Sequence, residues 1–116
     1  MSSIERLHTN QRMSQTVVHN DTIYLAGQVA SDPSVGVTEQ TRQILGQIDA
    51  LLAEVGSDKT RILMATIWLS DIATFAAMNE AWDAWVPAGQ TPARACVESR
   101  LAGEAWKVDI RDVAAR

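Results

Sequence analysis

The chain has 116 residues, enough for one domain with a modest core, and 47% of them are apolar, which excludes a disordered chain. A formal charge of −4 and a pI near 5.0 argue against a nucleic-acid polyanion as the main ligand. The opening MSSIERLHTN has no apolar signal region, no apolar run is long enough to span a bilayer, and one cysteine cannot build a disulfide framework; the expectation is a single domain, 1–116, in a reducing cytoplasmic setting.

In chain order, the first ten or so residues are expected to form a loosely held arm. The stretch SQTVVHNDTIYLAGQVA predicts two strands around a turn at Asn20-Asp21. Gly27 follows where a backbone can approach a ligand or another chain. After the turn cluster DPSVG, Ile44, Leu45, Ile48, Leu51, Leu52 and Val55 keep helical spacing, and Gly56 is a C-terminal stop. The segment RILMATIWLS is apolar on both parities and predicts a central strand covered on both faces. Phe75, Met78, Trp82, Trp85 and Val86 form the stripe of a second helix that ends at Pro87. The strands ARACVESRL and WKVDIRDV follow, separated by AGEA. The predicted order is β-β-α-β-α-β-β, an α+β architecture with a mixed sheet and both helices on one face.

Alternation in the last two strands raises a chemical question. Ala93, Ala95, Val97 and Leu101 share one parity, and Arg94, Cys96, Glu98 and Arg100 share the other. Trp106, Val108 and Ile110 likewise oppose Lys107, Asp109 and Arg111. If these strands form a hairpin with their apolar parities aligned on the core, Arg94, Cys96 and Asp109 share the second face. Met64 and Trp68 on that face are too apolar to stay wet, which favours subunit contact there.

The stretches TPARACVE, AGQVA, LSDIATFAAMNEAW and WKVDIRDVAA together resemble the RidA/YjgF/UK114 family, from about Arg12 to Ala114. The resemblance implies a chorismate-mutase-like fold and a homotrimer with sites between subunits. It also implies hydrolysis of reactive 2-imino acids to 2-keto acids, with release of ammonia. Arg94 matches the family arginine that holds the substrate carboxylate, Cys96 a cysteine lining the same cleft, and Gly27 a glycine whose backbone faces the ligand. Asp109 stands where the family usually has a glutamate that positions the hydrolytic water. Met13 and Ala26 replace residues that carry hydroxyls in the family.

This chemistry suits the residues. A planar guanidinium clamps a carboxylate through two parallel charge-assisted hydrogen bonds. Free imines hydrolyse unaided, so positioning supplies much of the catalysis and no metal or cofactor is expected. A carboxylate such as Asp109 orients the water and takes its proton. The bland alternatives are an intersubunit salt bridge for Arg94, surface solvation for Asp109 and a small buried hydrophobe for Cys96, whose site role is pocket lining rather than nucleophilic attack. His8 and His19 lack metal-ligand spacing, and GSDKT lacks the full phosphate-loop pattern. A second class of function uses the same Arg94 cleft: a non-catalytic binder or sensor of carboxylate metabolites.

Overall fold

The computed structural model describes residues 3–116. Six strands and two α-helices follow in the order β1 (Ile4–Thr9), β2 (Ser14–His19), β3 (Thr22–Leu25), α1 (Val37–Glu54), β4 (Ile62–Leu69), α2 (Phe75–Trp85), β5 (Ala93–Glu98) and β6 (Val108–Ala115). They build one sheet in the spatial order β1-β2-β3-β6-β4-β5. Only β4 and β5 are parallel, so the sheet is mixed.

Local sequence accounts for most of these elements. Asn20 adopts φ 55° at the β2–β3 turn, a conformation that asparagine tolerates well. Helix α1 buries Ile44, Ile48 and Leu52 completely against the sheet, and each such side chain contributes about 1.5–3 kcal/mol of transfer free energy. Gly56, at φ 76°, turns the chain out of α1, and Ser57 donates back to the Leu52 carbonyl. The Asp71 carboxylate accepts from the Ala73 amide and starts the short turn that leads into α2. Met78 and Trp82 of α2 share one core with Ile67, Leu69, Val108 and Ile110 of the sheet. Both helices therefore cover the same face.

Two predicted features are corrected. The expected loose arm is a strand: β1 pairs along β2 from Ile4–His19 to Thr9–Ser14. Leu7 packs on the core, while an ion pair from Glu5 to Arg116 and a hydrogen bond between His8 and Glu54 tie the strand down. Its many polar side chains hid it, because an edge strand needs few apolar contacts once its backbone is paired. The second correction concerns the last two strands, which do not form a hairpin. Strand β5 runs parallel to β4 at the sheet edge, and β6 lies on the other side of β4. The intervening α2 makes β4-α2-β5 a crossover unit, which sets the two strands parallel. The loop 99–107 then carries the chain over the end of β4, pinned where Ser99 donates to Leu69 and Ser70 to Lys107.

Among the described residues, no helix is long and apolar enough to cross a membrane.

Candidate functional site

The pairing registers decide which side chains share a face. Ala65, Ile67 and Leu69 of β4 point into the helix-covered core, and their β5 partners are Arg94, Cys96 and Glu98. Those three therefore lie on the helix side. Asp109 is the β6 partner of Trp68, and Arg111 that of Thr66, so both lie on the open face. The expectation that Arg94, Cys96 and Asp109 share one face is overturned. The alternation along each strand holds, but β5 is inverted: Ala93, Ala95 and Val97 are the ones that look outward. From strand spacing and rise, the Cα atoms of Arg94 and Asp109 lie roughly 14 Å apart on opposite faces.

The Arg94 side of the site is built by α2. Phe75, Asn79 and Trp82 project from successive turns of that helix toward the overhanging edge strand. The Arg94 guanidinium carbon lies 5.6 Å from the Phe75 ring centre and 5.1 Å from that of Trp82. Its Nη1 donates to Asn79 Oδ1 at 2.8 Å. Two ring faces and one amide thus fix a flexible cation. No ion pair among the described residues involves Arg94, so within one chain neither Glu98 nor Asp109 pairs with it. Glu98 instead accepts from the Ile72 amide. The guanidinium has five N–H donors, and the Asn79 bond is the only one recorded for it among the described residues. The rest of this exposed, oriented fork is without a partner among the described residues.

Cys96, one turn of the pleat further, is half-buried against the core. Burial pushes its thiol pKa up, against the opposing pull of Arg94. A protonated thiol is a lining group rather than a nucleophile.

The open-face side joins Gly27 to Asp109. A Cβ added at Gly27 would stand 2.6 Å from Asp109 Oδ1. That oxygen is buried and has no hydrogen-bond partner. Burial raises the Asp109 pKa, and the Arg111 charge partly opposes the rise. The carboxylate is consequently a better base than a solvated one. Gly27 cannot retreat, because Ala26 donates to Gln15 and Gln28 exchanges two backbone hydrogen bonds with Ile110. We expect Gly27→Ala to force Asp109 out of place and cost about 1–3 kcal/mol of stability. Urea unfolding of the variant checks this, and an unchanged midpoint with Asp109 unmoved in a crystal structure would refute it.

Sequence reading missed Asn79 and Arg111. Asn79 was detectable in principle, as a polar residue four positions after Phe75 and three before Trp82 on one side of a helix. Arg111 carried no such signal; its place over the Trp68 ring, 5.6 Å from the centre, depends on the β4–β6 register. Met13 and Ala26 sit near the start of β2 and the end of β3. Met13 is exposed, and its amide donates to the Asn10 side chain.

Comparison with known proteins finds relatives along nearly the whole chain. Residues 3–116 match the family described as Endoribonuclease L-PSP. The RutC family protein YoaB of Escherichia coli is 47% identical, over 97% of this chain and 98% of that protein. The 2-iminobutanoate/2-iminopropanoate deaminase of Rattus norvegicus is 32% identical, over 87% of this chain and 77% of that protein. A crystal structure of a YjgF family member from Neisseria meningitidis superposes with a TM-score of 0.95 at 47% identity, covering 98% of this chain and 95% of that one. The α+β fold is chorismate-mutase-like, as in those neighbours.

Proposed function

The chain belongs to the RidA/YjgF (Endoribonuclease L-PSP) family, and on that premise we propose that it hydrolyses reactive 2-imino acids to 2-keto acids in clefts between the subunits of a homotrimer. The observation that carries the proposal is the Arg94 guanidinium, held by Phe75, Trp82 and Asn79 and left without a carboxylate partner among the described residues. The name 2-iminobutanoate/2-iminopropanoate deaminase carried by relatives about one-third identical supports the same chemistry.

In this reading Arg94 clamps the substrate carboxylate and fixes the adjacent C=N carbon. Asp109 orients a water, takes its proton as the oxygen adds to that carbon, and passes that proton on to the nitrogen. The resulting carbinolamine collapses, the C–N bond breaks, and ammonia leaves as the 2-keto acid forms. Because Arg94 and Asp109 face opposite ways within one chain, the clamp of one subunit must meet the Gly27–Asp109 pair of another. The open face suits such a contact: Tyr24, Met64 and Val97 are 44–47% exposed there, an apolar area that a monomer rarely leaves wet. Asp109 and Gly27 then act in trans to Arg94 and Cys96.

The test is 2-keto acid release from an imine generated in situ by an amino-acid oxidase, with semicarbazide as the competing trap. Added protein is expected to accelerate release, and light scattering is expected to give three times the chain mass. Binding of 2-keto acids without turnover would replace catalysis by the metabolite-binding reading. A monomer at micromolar concentration would remove the shared cleft.

A further inference from the structure

Arg111 is a second guanidinium that the proposed chemistry does not use. It stands two residues beyond Asp109 on β6, on the same open face, and its β4 partner is Thr66. Its guanidinium carbon lies 5.6 Å from the ring centre of Trp68, which is itself the direct partner of Asp109. The cation therefore leans along the strand toward the Gly27–Asp109 pair, and its field reaches that carboxylate. Yet Asp109 and Arg111 form no ion pair, and no other acidic side chain pairs with Arg111 among the described residues. The surrounding face carries Tyr24, Met64, Val97 and Val113. Covering such a face takes water from the guanidinium and leaves it unneutralised unless an anion arrives with the ligand.

A simple 2-keto or 2-imino acid has only one carboxylate, and Arg94 takes it. Resting on the reading of the site as a cleft shared by Arg94 and Asp109, we propose that the preferred substrates carry a second acidic group on the side chain, which Arg111, held over the Trp68 ring, receives. The ring braces the guanidinium, and with no acidic side chain paired to it among the described residues its donors stay open for a bidentate partner. Asp109 then lies between two cations. The reacting carbon, fixed at one end by Arg94 and at the other by Arg111, sits opposite the water that Asp109 orients.

A matched pair of probes tests this: 2-oxopentanoate and 2-oxoglutarate have the same five-carbon chain and differ in a terminal methyl against a carboxylate. Calorimetric titration of the assembled wild-type protein is expected to show 2-oxoglutarate bound at least about tenfold more tightly. In Arg111→Gln that ratio is expected to fall toward one, and in Arg111→Lys to recover in part. Equal binding of the two ligands by the wild type, abolished by Arg94→Ala, would overturn the inference and leave the Arg94 reading in place. Binding of neither ligand by an intact assembly would overturn both. A dicarboxylate preference that survives Arg111→Gln would also overturn it, as would loss of the assembly in that variant, which would mark Arg111 as the partner of a neighbouring subunit's acid.

Discussion

Arg94→Ala is expected to lower catalytic efficiency by some tens- to thousands-fold while leaving fold and assembly intact. Truncating one partner of a charge-assisted pair in a desolvated cleft costs roughly 2–5 kcal/mol, and about 1.4 kcal/mol corresponds to tenfold in rate. The folded state loses little, because Arg94 is exposed on an edge strand and its ring contacts contribute only about 0.5–1 kcal/mol each at such a site. Arg94→Lys is expected to fail nearly as badly. An ammonium keeps the charge but has no planar fork to donate to Asn79 and to a carboxylate at once. Cys96→Ser is expected to be far milder, since the half-buried thiol is held protonated. Keto-acid appearance, thermal unfolding and assembly mass of each variant are the measurements. Full activity in an intact Arg94→Ala assembly would show that the guanidinium is not the clamp.

The second large effect concerns stability. Asp112 points into the core from β6, opposite Ala65, and is 1% exposed. Neither carboxylate oxygen has a hydrogen-bond partner. Burial alone pushes its pKa from 3.8 up to about 7. The folded protein therefore keeps a proton that the unfolded chain releases. The stability this group contributes is fully present below the unfolded pKa, near 4, and is lost as pH rises through about 7. At 1.36 kcal/mol per unit, the loss across that window is about 4 kcal/mol. Urea unfolding between pH 4.5 and 8 is expected to show the decline in wild type and a flatter profile in Asp112→Asn. Asp109 shifts in the same direction, so the difference between the two profiles isolates Asp112. Asp32 and Asp58 have lowered pKa values, which act only below about pH 4, outside the window. Parallel profiles for the two proteins would show that Asp112 is solvated or paired in solution.

The reversal of β5 shows where sequence reading stops. The helices, the turn at Asn20-Asp21 and the central strand were legible, because helical period, left-handed turn residues and unbroken apolar runs are local properties. The parity of each strand was legible too: Arg94 does share a side with Cys96, and Asp109 with Arg111. Parity says which side chains go together, but not which way they go. Burial usually settles that, and here it misled, since both faces of this sheet are apolar. Ala65, Ile67 and Leu69 fill the helix side, while Met64, Trp68 and Val97 line the open one. Strand alternation alone cannot choose between two such faces.

The sequence by itself determined both helices and five of the six strands, the absence of a charge balance suited to nucleic acid, and, through spaced motifs, Arg94, Cys96, Asp109 and Gly27 as the residues to watch. Only the tertiary structure decided that β4 separates β5 from β6, that α2 rather than Asp109 holds Arg94, and that Gly27 touches Asp109. The physical reason is that a crossover helix fixes strand neighbours through contacts far apart in the chain, whereas period and propensity report only on residues a turn or two away.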